Sequence, residues 1–119
     1  MTLNEMMAAA TCACRESMVK VSEYQMDCLD LGIEEKADAT LLTEADVASQ
    51  EVARSILEPL GFSFYGEEGP VKGFIGDNRY GAIVDPLDGT GAFAIGLPTT
   101  TVIVGIYDRE EKEIISHVY

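Results

Sequence analysis

The chain has 119 residues, 47% of them hydrophobic, which is one domain's worth of sequence with enough apolar content for a real core. Its 21 acidic and 8 basic residues give a net charge of −13, which argues against nucleic acid and anionic membrane surfaces as partners. A phosphorylated small molecule stays admissible, because a bound metal reverses the local sign.

No uninterrupted apolar run is long enough to read as a membrane span, and Glu5 falls where a secretory leader would carry positive charge. The expectation is a soluble cytoplasmic protein. Three cysteines, Cys12, Cys14 and Cys28, have no framework spacing, as expected in a reducing compartment. Cys12 and Cys14 sit in a helical pattern, where they point about 200° apart. They read as small core residues rather than a metal pair.

From Leu3 to about Cys28 apolar residues recur at helical spacing (Leu3, Met7, Ala10, Cys14, Met18, Val21, Cys28), with Glu5, Arg15, Glu16, Lys20 and Glu23 on the other faces. This predicts a long amphipathic helix stopped near Gly32. Ile33–Leu42, which holds Lys36 and Asp38, has no clean period and reads as a loop or β-ribbon. Thr43 then reads as the N-cap of a second helix, with Glu44 and Asp46 in its first turn, an inner stripe of Ala45, Ala48, Val52 and Ile56, and a stop at Pro59 and Gly61. Asp46 is a capping-box acid on this reading, and gains interest only if that helix start faces a site.

Phe62–Tyr65 alternates like a short strand and runs into Gly66-Glu67-Glu68-Gly69-Pro70. Val71–Arg79 is a connection rich in breakers, with a turn at 76–78. Gly81-Ala82-Ile83-Val84 is a second short strand, and it meets Asp85-Pro86-Leu87-Asp88-Gly89-Thr90. Asp is disfavoured in strands, Pro86 cannot donate to a ladder, and Gly89 permits backbone angles that other residues avoid. Asp85 and Asp88 make sense there if they converge on a cation, Mg²⁺ or Ca²⁺ by the hardness of the ligands, with the amides around Gly89-Thr90-Gly91 facing an anion. An acidic turn after a strand is the other reading. Two strands that both end in acids strengthen the metal reading over either alone.

Thr99–Tyr107 is the strongest strand signal, with Val102, Val104 and Ile106 on one face and Ile103 and Tyr107 on the other. Asp108–Lys112 is a polar turn and Glu113–Tyr119 a partner strand, so the pair reads as a hairpin. His117 reads as a half-buried strand residue rather than a general base. The chain stops inside that strand with one sheet face lacking an obvious cover, as the front part of something larger would; a chain complete at this length is expected to self-associate into a homo-oligomer.

In order and spacing, Lys36-Ala-Asp38, Leu42-Thr43-Glu44-Ala45-Asp46, Gly66-Glu67-Glu68, Ile83-Val84-Asp85-Pro86-Leu87-Asp88-Gly89-Thr90 and Gly96-Leu97-Pro98 resemble the inositol monophosphatase family of Mg²⁺-dependent, lithium-sensitive phosphomonoesterases. The resemblance implies an α+β fold of two N-terminal helices on a largely antiparallel sheet, the first half of a layered α/β/α/β/α architecture. Residues 1–119 would be the N-terminal metal-binding domain, without the second domain. It further implies that Glu67, Asp85, Asp88 and the Leu87 carbonyl ligate Mg²⁺, and that Glu68 orients a water or a further metal. Thr90, hydrogen-bonded to Asp46, would orient the attacking water. The Gly89 and Thr90 amides would cradle the phosphate, and Lys36 and Asp38, on a mobile loop, would help close the site or bind an additional Mg²⁺. Gly91-Ala92-Phe93 stands where the family often has larger polar residues. The family's further metal-ligating Asp and most of its specificity residues come from beyond Tyr119. The implied function is hydrolysis of a small phosphomonoester, such as an inositol phosphate, a sugar phosphate or a nucleotide bisphosphate. The competing reading is a catalytically incompetent fragment that binds divalent cations and self-associates through the uncovered sheet.

Overall fold

The computed structural model describes residues 1–31, 35–66, 73–88 and 101–118, with side chains over 1–26, 44–66, 76–85 and 101–115. Helix α1 spans Leu3–Leu31 and helix α2 spans Glu35–Leu57, followed by a 3₁₀ turn at Glu58–Leu60. The described strands are β1 (Ser63–Gly66), β2 (Gly73–Ile75), β3 (Tyr80–Asp88), β4 (Thr101–Asp108) and β5 (Glu113–Val118). They form one sheet in the order β2-β1-β3-β4-β5, parallel between β1 and β3 and antiparallel at the other pairings. The expected α+β arrangement, with a largely antiparallel sheet and a β4–β5 hairpin, is what the chain adopts.

Helix α1 starts where Thr2 Oγ1 accepts the Glu5 amide at 3.2 Å, in the Thr-x-x-Glu pattern of a capping box. Its 29 residues extend about 43 Å at 1.5 Å per residue, nearly the 47 Å length of the molecule. The buried stripe is Met6, Ala9, Ala10, Ala13, Cys14, Ser17 and Val21. Leu3 is exposed, and Met7 and Met18 are half-buried, so the true stripe is rotated slightly from the expected one. Small residues on both helices let the backbones approach, and Ser17 Oγ donates to the Ser49 carbonyl at 2.9 Å in the buried crossing. Cys14 is the core residue it was read to be. Its thiol donates to the Val102 carbonyl of β4 at 3.1 Å, and burial raises its pKa.

Helix α2 corrects the sequence reading. Thr43 lies inside it rather than at its cap, and Lys36 and Asp38 fall in its first turns rather than in a loop or ribbon. The physical reason is the absence of any Gly or Pro between Glu35 and Leu57, in a stretch rich in Ala, Leu, Glu and Lys. An internal Thr-Glu-x-Asp has the grammar of a helix start but no power to stop a helix arriving from upstream. The inner face also differs: Ala45, Ser49, Gln50, Ala53 and Leu57 are buried, while Ala48, Val52 and Ile56 are half-buried. The expected stop at Pro59 and Gly61 is present. Gly61 adopts φ 95°, its amide bonds the Glu58 carbonyl, and the Phe62 amide reaches the Leu57 carbonyl, a Schellman-type closure that only glycine enters cheaply.

Both helices pack on one face of the sheet. Phe64, Ala82, Val84, Val102, Val104 and Ile106 meet them in the core. Tyr65, Ile83, Ile103 and Tyr107, on the other face, are half-buried. No described helix is long and apolar enough to cross a membrane.

The N-terminal end of β3 is tied to the β4–β5 turn by a carboxylate. Arg79 makes a two-pronged contact with Asp108, Nε to Oδ1 at 3.0 Å and Nη2 to Oδ2 at 2.9 Å. Asp108 Oδ1 also accepts the Glu110 and Glu111 amides at 3.0 and 3.3 Å, although its side chain is only 6% exposed. The Arg79 guanidinium, first, and these amides hold the Asp108 carboxyl below its usual range, against the opposing effect of burial. A depressed folded-state pKa contributes stability that is complete above the unfolded pKa of about 3.9 and is lost as pH falls through the folded value. Asp108→Asn is therefore expected to melt several degrees below wild type at pH 7, with the gap closing as the pH drops below about 4. Thermal unfolding of both proteins across that range checks it.

Candidate functional site

Three features converge on the sheet end opposite Arg79 and Asp108. The first is the parallel pairing of β1 and β3, in which Ser63, Phe64, Tyr65 and Gly66 lie beside Gly81, Ala82, Ile83 and Val84. Parallel neighbours, about 4.8 Å apart, end at the same edge. Gly66, the residue before Glu67, is paired with Val84, the residue before Asp85.

The second is an irregularity in β3. The sequence reading stops this strand at Val84, but it continues through Asp85, Pro86 and Leu87 to Asp88. Asp85 pairs with Ile103 and Asp88 with Thr101, so three steps on β3 match two on β4. That extra residue is a β-bulge, and Pro86 fits inside it because a bulge leaves a residue without a ladder partner. Residues three apart on a regular strand alternate to opposite faces. Ile103 and Thr101, being two apart, share one. The bulge thus brings the register positions of Asp85 and Asp88 onto the same face, the one away from the helices. Asp85 itself is solvent-exposed.

The third is α2. Gln50 is only 5% exposed and lies against Gly66: a Cβ on that glycine would sit 2.5 Å from Gln50 Cδ and Nε2 and 2.6 Å from Oε1. Asp46, half-buried, precedes Gln50 by one helical turn, about 6 Å along the axis. Because α2 returns through a short turn into β1, that step leads from Gly66 beyond the end of β1, alongside the continuing stretch of β3. The carbonyl of Asp46 also accepts Ser49 Oγ at 3.2 Å.

Of the residues singled out in the sequence, Asp85, Leu87 and Asp88 thus lie together on the bulged end of β3, and Asp46 is carried by the helix that touches the neighbouring strand's end. Glu67, Glu68, Gly89 and Thr90 lie outside the described residues. Lys36 and Asp38 are on α2 rather than on a loop. Among the described residues no three His, Cys, Asp or Glu side chains form a metal cluster. The described donors fit a hard divalent cation by type: the exposed Asp85 carboxylate and the backbone carbonyl of Leu87 on a bulged strand end, where the sequence also places Asp88. Gln50 was not foreseen. A polar residue on a helix reads as solvent-facing, and the one available hint was Gly66, a strand glycine of the kind that marks a close approach.

Gly66→Ala is expected to destabilise the fold by roughly 1–3 kcal/mol, the usual range for overpacking. Trimming Gln50 to alanine in the same chain should recover most of it. Urea unfolding of the two single variants and the double variant measures the coupling; strictly additive losses would contradict the contact.

The profile of the inositol monophosphatase family matches residues 2–119. The chain is 35% identical over 85 residues to a histidinol-phosphatase of Streptomyces coelicolor, covering 70% of this chain and 31% of that protein. It is 34% identical over 92 residues to an inositol-1-monophosphatase of Caulobacter vibrioides, covering 75% of this chain and 35% of the relative. Among solved structures it resembles the extragenic suppressor protein suhB of Bartonella henselae, with a TM-score of 0.74 and 22% identity over 96% of this chain and 42% of that one. The last likeness concerns the fold. The chain spans about a third of the length of the two curated relatives.

Proposed function

Since the chain belongs to the inositol monophosphatase family, we propose that it supplies the metal- and phosphate-holding part of an Mg²⁺-dependent phosphatase acting on a small phosphomonoester. The observation that carries this reading is the register of β1 and β3: β1 ends at Gly66 beside Val84, and β3 runs on past it to Asp88 through a bulge that aligns the positions of Asp85 and Asp88. The histidinol-phosphatase and inositol-1-monophosphatase relatives both act on small phosphorylated alcohols by name, which fits a site that recognises the phosphate first.

In this mechanism Glu67, Asp85, Asp88 and the Leu87 carbonyl would hold Mg²⁺, and Glu68 would orient a water or a further ion. When bound, the cation acts as a Lewis acid that screens the phosphate's charge and acidifies water. The Gly89 and Thr90 amides receive the phosphoryl oxygens. The Thr90 hydroxyl aligns the attacking water and passes its proton to Asp46, since a threonine is too weak a base to keep it. The new bond joins water oxygen to phosphorus, the ester P–O bond breaks, and the departing alkoxide is protonated, giving an alcohol and inorganic phosphate.

Phosphate release from inositol 1-phosphate and histidinol phosphate, with and without Mg²⁺ and with added Li⁺, tests the proposal. Mg²⁺-dependent, Li⁺-inhibited release supports it. A chain that binds Mg²⁺ and releases no phosphate behaves as the incompetent fragment instead.

A further inference from the structure

Among the described residues of α2, Gln50 is the buried polar side chain that reaches the end of β1. All three heavy atoms of its carboxamide lie at nearly the same distance, 2.5–2.6 Å, from where a Gly66 Cβ would be. The amide group therefore lies face-on against the space that a side chain at 66 would fill. Gly66 in turn is held on both sides, against Gly73 of β2 and Val84 of β3. The contact thus joins three things: the last residue of β1, the strand that carries Asp85 and Asp88, and the helical turn that carries Asp46. A neutral amide suits a side chain this buried, because an unpaired charge there would be costly to desolvate. An amide also offers both donors and an acceptor to a backbone that is leaving its ladder.

We propose that Gln50 is a positioning residue: its carboxamide, seated on Gly66, sets where β1 ends relative to the turn of α2 that carries Asp46 and to the end of β3. The proposal rests on the metal-site reading above. It requires that a residue touching no ion nevertheless governs how well the ion is held, as groups that orient ligands commonly do.

The test is Mn²⁺ binding, followed by the loss of free-ion EPR signal, at a temperature where each variant gives a folded ¹H–¹⁵N spectrum. Gln50→Ala is expected to weaken Mn²⁺ binding by about tenfold, the lower end of the range for ligand-orienting groups. Asp88→Asn serves as the reference and should abolish binding. Wild-type affinity in folded Gln50→Ala overturns this inference alone, because a purely structural glutamine would lower the melting temperature without moving the affinity. Wild-type affinity in Asp88→Asn overturns the site reading and this inference with it. If Gln50→Ala does not fold, Gly66→Ala takes its place: its methyl displaces the carboxamide and must weaken Mn²⁺ to a similar degree, and unchanged affinity overturns the proposal.

Discussion

Asp88→Asn is expected to abolish Mg²⁺-dependent phosphate release and divalent-ion binding while leaving the fold intact. The substitution is nearly isosteric and removes one anionic ligand, so the loss should equal or exceed the roughly 10–100-fold caused by removing groups that merely orient ligands. Asp88 pairs with Thr101 through its backbone at the end of the bulge, and an asparagine keeps those bonds. The chain already carries a net charge of −13. Removing one negative charge from a cluster lowers repulsion in the ion-free protein, so its melting temperature should be unchanged or slightly higher. Full activity in a folded Asp88→Asn protein would remove this residue from the ligand set. A protein that loses activity by unfolding would show that the residue's contribution is structural.

The largest effect on stability is expected at Phe64. It is 1% exposed, sits mid-strand in β1, and pairs with Ala82 on one side and Ile75 on the other. Phe64→Ala should cost about 3–5 kcal/mol, from lost transfer energy and the cavity left behind. Against the 5–15 kcal/mol typical of a whole domain, that is enough to leave a substantial unfolded fraction at about 37 °C. Ile114, 54% exposed on β5, is the matched control, and Ile114→Ala should change stability by no more than about 0.5 kcal/mol. Comparable losses at the two positions in urea unfolding would contradict the placement of the core on the helix side of the sheet.

What the sequence made legible follows from how local each signal is. Helix α1 and strand β4 were readable because their apolar periods are long and need no partner to interpret. The hairpin after β4 was readable from its polar turn. The start of α2 was not, because Thr43 through Asp46 satisfies the local rule for a beginning and nothing upstream in Glu35–Leu42 declares a helix by its period. Strand β2 was missed because three residues beside a glycine turn carry no alternation of their own, and antiparallel pairing with β1 makes it a strand. Pro86 was read as a terminator. In an antiparallel pair it marks a bulge instead, a distinction that depends on the register of β4. At the site, the residue types at Asp85 and Asp88 pointed to a cation, and the motif order pointed to the family, through which alone Leu87 entered the ligand set. The contribution of Gln50 depends on which strand end its helix crosses, which no spacing within α2 encodes.

Central to the proposed function is a divalent ion held at the end of the sheet where β1 stops at Gly66 and β3 runs on through Asp85 to Asp88. Acidic residues also cluster at the opposite end, at Asp108, Glu110 and Glu111, beyond the start of β3 at Tyr80. The five-residue step from Tyr80 to Asp85 is about 17 Å of strand, ample for a paramagnetic probe to tell the two ends apart. Mn²⁺ titrated into ¹⁵N-labelled protein is predicted to broaden the amides of Gly66, Asp85 and Thr101 first, leaving Arg79, Arg109 and Lys112 sharp. Broadening that begins at Arg109 and Lys112, or that reaches both ends equally, would contradict the account.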